Sequence, residues 1–518
     1  MAEPVTTNEV DPEGQRVDYR SVVPDYGKSW VRVPHLLKLN ILLMLSAFLT
    51  STNSGFDGSI LNGFQSMNVW EDYFGNPNGA ILGALANGYT FGGFLSMPIA
   101  PWFTDRYGRK IPIATGAGII IIGAIIQTCA QDYAMFMVGR IIIGFGSGLC
   151  TVASPTLISE VAYPPHRHLM TACYNTLWYL GAIVAAWATY GTYWMTNTNW
   201  SWRIPSLLQG LFPLIQILTV YFTPESPRFL IYKDRLEEAQ EILIKWHANG
   251  DRNSPLVEYE LAEISAALQL EKTIHMASYS DFLKTRANKH RLFIVIMLPT
   301  MMQLSGNGLV SYFLNKVLDT IGITSQSEQL VINGCLMIYN WVCAIGLACL
   351  VEKVGRRPMF LTCFSGMLVT YIIWTALSAR FQETGFSNHG LSQGVLAMIF
   401  LYYFCYGIGL NGVPILYFTE ILPYHLRAKG MTITGFTTNL VLIYNGFVNP
   451  IALEAISWKY YIVYCCIIVV ELVIAYFAFP ETKGRTLENV SEVFGDDAAH
   501  EKQQVQHLED IIYEGKAD

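Results

Sequence analysis

Residues 105–110 read Asp105-Arg106-Tyr107-Gly108-Arg109-Lys110, and residues 352–357 read Glu352-Lys353-Val354-Gly355-Arg356-Arg357, 247 positions later. Each charged turn is caught between long apolar runs. Working outward, Glu160 with Arg167 recurs as Glu420 with Arg427, 260 positions on. Pro224-Glu225-Ser226-Pro227-Arg228 recurs as Pro480-Glu481-Thr482-Lys483-Gly484-Arg485, with the glutamates 256 apart. Three charged signatures in one order at a nearly constant offset mark an internal duplication.

The apolar runs between them number twelve: 38–62, 79–103, 111–129, 133–158, 169–195, 203–223, 292–315, 329–351, 358–379, 391–418, 430–454 and 458–479. Residues 169–202, 292–315, 329–351 and 391–419 hold no Asp, Glu, Lys or Arg. A run of this length crosses hydrocarbon as a helix, and lipid leaves the backbone no other way to satisfy its polar groups. The runs are continuously apolar rather than alternating, which excludes a β-barrel. Composition agrees: of 518 residues 52% are hydrophobic and only 14% charged, with net charge −7, about half the charge an ordinary soluble domain carries. That balance excludes a soluble multidomain protein, a disordered chain and a nucleic-acid binder. The ten cysteines sit in apolar runs without ligand spacing, so neither a metal site nor a disulfide framework is expected. No signal peptide is read in residues 1–35.

Cations set the orientation. With the N-terminus in the cytoplasm, 28 of the 33 Lys and Arg fall on the cytoplasmic side, as the positive-inside rule requires. Both termini are expected to be cytoplasmic, in a multi-pass plasma-membrane protein. The expected organisation is a cytosolic tail (1–37), a six-helix bundle (38–223), a linker of surface helices (224–291), a second six-helix bundle (292–479) and a cytosolic tail (480–518). The linker carries 10 basic and 11 acidic residues, which reads as a solvated helical cap rather than a polybasic membrane anchor.

At these signatures the chain resembles the sugar porter family of the major facilitator superfamily, over residues 36–490. The resemblance implies an all-α membrane protein of twelve transmembrane helices in two six-helix halves, moving its solute by alternating access around a site between the repeats. It implies no cofactor, and partners limited to a small sugar, a proton and the bilayer around a monomer. The loop charges Asp105, Arg106, Arg109, Glu160, Arg167, Glu225 and Arg228 in one half, and Glu352, Arg356, Glu420, Arg427 and Glu481 in the other, read as a cytoplasmic gate that breaks and re-forms. Topogenic charge on solvated turns is the plainer alternative. Pro101 and Ala348 stand where the family motif usually opens with glycine.

Two charges lie inside apolar runs, Asp57 and Arg140. An intramembrane charge is costly unless paired and is a functional candidate for that reason. The family's proton symporters carry an aspartate and an arginine at these motif positions, so the resemblance implies proton coupling. A structural pair in a uniporter is the alternative. Glu471 interrupts the last run and reads as a structural or lipid-edge group.

A sugar is recognised by amides and hydroxyls with aromatic faces beneath its C–H surfaces. The candidates are Gln303, Asn307 and Tyr312 on span seven, Asn175 on span five, Asn411 on span ten, and Asn439 and Tyr444 on span eleven. Trp178 and Tyr406 belong to the same set, and helix–helix glue is the competing use of any one asparagine. Against the hexose-carrier pattern, Met302 replaces a glutamine, Asn307 stands one place early, and Ile415 replaces a tryptophan. The stretches GFDGSILNG (55–63) and QLSGNGLVSYFLN (303–315) resemble the fungal lactose permease and cellodextrin transporter subgroup. That implies proton-coupled import of a β-linked disaccharide such as lactose or cellobiose. A facilitative hexose or polyol uniporter and a non-transporting sugar sensor remain the alternatives. No nucleophile–base set or phosphate loop is present, so an enzyme or an ATP-driven pump is not expected.

Overall fold

The computed structural model describes residues 23, 32–195, 198–274, 278–348, 354–384, 388–483 and 494. Every regular element among them is helical. Nine stretches of the described residues are long and apolar enough to cross a membrane unaided, and the last, Leu426–Ala478, is two helices joined by a short turn at Ser457–Lys459. Spans two and five fall outside that set. Span two is split into Gly79–Ser96 and Ile99–Tyr107 around Pro98. Span five is the helix Pro164–Tyr193. Counting these, the described residues hold twelve membrane-length spans in two sets of six.

Each half folds alike. Span one (Pro34–Phe64) packs on span five, and spans two and three (Lys110–Thr128) pack on span four (Tyr133–Val161). In the second half, span seven (Arg286–Thr320) packs on span eleven (Tyr424–Ile456), and span nine (Arg356–Glu383) on span ten (His389–Ile421). The halves meet along three seams: span one with seven, two with eleven, and five with eight (Gln326–Ala348). Exchanging one for seven, two for eight and five for eleven maps this set of seams onto itself. That is the signature of a pseudo-two-fold axis between repeats. Glycine makes the approach within a half possible. A Cβ at Gly55 would strike the Trp178 carbonyl, and one at Gly181 the Thr52 carbonyl, so spans one and five touch backbone to backbone.

Span seven is broken twice. Gly306 sits at φ +100°, a conformation that favours glycine, and Phe313 leaves the helical region at φ −136°, ψ 33°. The carbonyls loosened at the first break are taken up by tyrosines: Tyr402 donates to Ser305 O (3.2 Å) and Tyr406 to Met302 O (3.2 Å). Span ten is likewise interrupted, by a π-helical turn at Gly407–Asn411. Irregular backbone at membrane depth is tolerated where protein or a polar cavity surrounds it.

Between spans six and seven lie the helices Pro227–Tyr232, Leu236–Trp246 and Pro255–Ile274, which make up the linker. Glu471, read as a structural or lipid-edge group, is 3% exposed and faces the bundle interior, and its carboxyl oxygens have no hydrogen-bond partner among the described residues. The cysteines of the described residues are free.

Candidate functional site

Asp57 lies on span one at 1% exposure, and Arg140 on span four at 3%. They are neighbours without a direct ion pair. Arg140 Nη2 donates to the backbone carbonyl of Asp57 at 3.4 Å, while the carboxylate takes its hydrogen bond from Asn53 Nδ2 at 2.8 Å. Asp57 Oδ1 and Arg140 Nε find no partner among the described residues. Two effects therefore oppose each other at this carboxyl. Burial penalises its charge, and a guanidinium one contact away rewards it. Beside it, Tyr89 and Ser54 both reach the Ser147 hydroxyl, at 2.8 and 3.2 Å.

Two residues further along span one, Ser59 opens onto a central cavity of about 160 Å³ between the halves. Its other walls are Trp178 and Tyr179 of span five, Asn307 and Ser311 of span seven, Met337 and Asn340 of span eight, and Tyr403, Tyr406 and Asn411 of span ten. Asn307 is the first residue after the Gly306 break, which turns it into the cavity. Ser311 donates to Asn307 Oδ1 at 2.9 Å and shares a 2.8 Å contact with Tyr403, while Asn307 Nδ2 reaches Tyr406 at 3.4 Å. The result is a polar surface of amides and phenols with one indole face. Such a wall can match hydroxyls and stack on an apolar ring face.

The sequence-derived candidates divide. Asn307, Asn411, Trp178 and Tyr406 line the cavity. Gln303 stands one turn before the break, where its carbonyl accepts from Asn445 at 2.6 Å. Tyr312 offers its carbonyl to Gln65 at 2.9 Å. The structure does not bring Asn439, Asn175 or Tyr444 to the cavity wall. Asn439 bonds its own helix at Gly435 O (3.0 Å) and meets Met97 Sδ at 3.7 Å across the seam between spans two and eleven. Asn175 is exposed, and Tyr444 is 53% exposed. Ser59, Tyr179, Ser311, Met337, Asn340 and Tyr403 were not foreseen. Helical spacing carried a signal for two of them: Ser311 is four residues from Asn307, and Tyr403 three from Tyr406.

The halves are joined at the end opposite the linker by neutral amides. Asn62 accepts from Leu314 N (3.0 Å) and donates to Asn333 (3.3 Å), and Asn315 donates to Gln65 O (2.8 Å). The Phe313 break exposes the backbone groups that Asn62 and Gln65 satisfy. One ion pair, Lys316–Glu71 at 3.3 Å, flanks them.

At the linker end the duplicated signatures build the same device twice. Arg109 forks onto Glu160 (2.8 and 3.0 Å), and Arg356 onto Glu420 (3.1 and 2.6 Å). Glu225 accepts from the backbone N–H of Arg109 and Lys110 (3.0 and 3.3 Å), and Glu481 from those of Arg356 and Arg357 (2.9 and 3.1 Å). Each carboxylate therefore caps a helix N-terminus, where backbone donors and the helix dipole favour an anion. Gly108, at φ +90°, and Gly355 leave room for it: a Cβ at either would strike that carboxylate. These pairs lie within a half, so they brace each bundle rather than bolt one to the other. The remaining candidates differ between halves. Arg167 turns to linker residue Glu260 at 3.9 Å, Arg427 donates to Thr419 O at 2.9 Å, and Arg228 borders a small polar cavity with Arg167 and Glu160. Asp105 and Arg106 are exposed, Arg106 over the Tyr107 ring. Glu352 lies outside the described residues.

Two pseudo-symmetric six-helix bundles around a central polar cavity define a major facilitator transporter, a multi-pass membrane protein rather than an enzyme. More narrowly, the chain belongs to the sugar (and other) transporter family, whose model matches residues 43–494. It is 30% identical over 486 residues to a high-affinity glucose transporter of Kluyveromyces lactis, covering 91% of this chain and 87% of that one. It is 31% identical over 420 residues to the MFS-type transporter oryC of Aspergillus oryzae, covering 79% and 76%. Its fold superimposes on the inward open conformation of the xylose transporter XylE from E. coli with TM-score 0.72 at 20% identity, covering 88% and 99%.

Proposed function

We propose that the chain is a proton-coupled sugar symporter of the plasma membrane, with both termini and the linker in the cytoplasm. The observation that carries this reading is Asp57: a buried carboxyl beside a guanidinium that does not hold it directly, two residues from a cavity-lining serine. A shift of span one against span four changes the distance between the charges, and with it the cost of the ionised form. Proton uptake and helix movement are then one event. Sugar in the cavity bridges spans five, seven and ten, and so favours a particular packing of the halves. Coupling follows because both ligands bias one two-state arrangement. The XylE protein is described as a proton:xylose symporter in its complex with 6-bromo-6-deoxy-D-glucose, which supports the same coupling here.

The sugar contacts of this reading are Asn307 and Asn411, with Gln303 and Tyr312 adjoining them and Asn175, Asn439 and Tyr444 engaged only in another arrangement of the bundles. The paired carboxylate clamps brace the cytoplasmic ends while the bundles rock. For the substrate, the departures on spans seven and ten favour a β-linked disaccharide, lactose or cellobiose. A hexose is the second reading, favoured by the glucose-transporter names of the curated relatives. Labelled uptake of cellobiose, lactose and glucose in transport-null cells, with and without an uncoupler, tests both parts. Accumulation of a disaccharide abolished by the uncoupler is the expected result. Equilibration that ignores the uncoupler overturns the coupling, and uptake of glucose alone overturns the disaccharide.

A further inference from the structure

Linker residue His247 is 2% exposed and is held at both ring nitrogens by oxygen. Nδ1 lies 2.7 Å from Glu260 Oε2, and Nε2 lies 3.1 Å from the carbonyl of Val161, the last residue of span four. A carbonyl only accepts, so Nε2 carries a hydrogen. The Nδ1···Oε2 contact then needs a second proton, on the ring or on the carboxyl. We infer that His247 and Glu260 form a cytosolic proton-binding site, whose single shared proton docks the linker helix Pro255–Ile274 onto the end of span four. The cytosolic placement rests on the orientation proposed above.

Three observations carry it. Glu260 is 2% exposed and its other oxygen faces Arg167 at 3.9 Å, which favours placing the shared proton on the ring. The Val161 carbonyl is an unspent group at a helix C-terminus, where the dipole favours a cation. Without the proton, a buried carboxylate would face an imidazole lone pair, and both would be desolvated for nothing. The groups around the pair are of both signs. His166 and Arg167 come from the start of span five, His35 and Lys38 from span one, Glu263 from the linker helix, and Arg228 and Glu160 from the adjoining cavity. The Tyr163 ring packs edge-on against His247 at 5.7 Å and closes the site from the loop.

The sign follows from linkage. A linker that holds one proton more when docked than when released docks less firmly as pH rises, by at most about tenfold per pH unit for one proton. The test is hydrogen–deuterium exchange of the purified full-length chain between pH 6 and 9. Protection factors of amides 257–268 are read against those of span four. In the wild type, linker protection is expected to fall with rising pH, by no more than about tenfold per unit, while span four holds. His247→Gln, and independently Glu260→Gln, are expected to lose that slope. A flat wild-type profile, or a slope that survives both substitutions, overturns the inference. Sugar uptake is measured on the same variants: a linker slope without uptake rejects only the transport reading, and uptake with a flat slope rejects only the proton site.

Discussion

Single side chains at membrane depth carry the sharpest expectations. Asp57→Asn keeps the Asn53 contact and the volume but fixes the group neutral, so accumulation should be lost while exchange of sugar across the membrane persists. Counterflow from preloaded cells checks this, and undiminished accumulation would remove Asp57 from the coupling. Asn307 presents one amide to the cavity and is held by Ser311. A hydrogen bond is worth about 1 kcal/mol net, so Asn307→Ala should weaken apparent sugar affinity by about fivefold, read by competition with labelled substrate. The identity of these residues was legible in the sequence because charge and amide are conspicuous in apolar runs. Their facing was less so. Asn307 and Asn439 look alike in sequence, yet the Gly306 turn aims one into the cavity while helix packing sets the other on a seam. A φ of +100° leaves no trace beyond a glycine, and this chain has 42 glycines.

At the scale of elements, the repeated clamps invite a paired experiment. Glu225 and Glu481 each hold the N-terminus of the helix that follows the charged turn, and each stands against a glycine. Glu225→Gln and Glu481→Gln should each cost about 1–2 kcal/mol, the worth of a charge-assisted bond over a neutral one. Thermal midpoints of the purified variants measure this, and unequal losses would show that the duplicated halves no longer share the load. The existence of these elements was readable from the offsets of the charged signatures. Their partners were only partly so, since Arg167 leaves the pattern to bind a linker carboxylate that periodicity alone does not place.

For the whole molecule, a linker carboxyl carries a pH dependence of its own. Burial, ahead of its charged neighbours, pushes the Glu263 carboxyl above its ordinary range. The folded protein then holds that proton more readily than the unfolded chain, so its contribution to stability is greatest below about pH 4.3. It is lost as pH rises through the folded-state value. Glu263→Gln should flatten that part of the stability-against-pH curve, measured by thermal unfolding in detergent. The helix count was plain from hydropathy, which is additive along the chain, and the duplication from the offsets of the charged signatures. The three seams between halves were not, because they depend on which faces meet.

Those seams have a mechanical consequence. Opposite the linker the bundles are buttoned by a few uncharged amides and one cation–anion pair, set in an apolar layer that runs through both halves. Each button is worth little more than the water it displaces. Undoing the polar part of this seam is therefore a small step beside the affinity of an ordinary solute, which gives a bound molecule leverage over how the halves meet there.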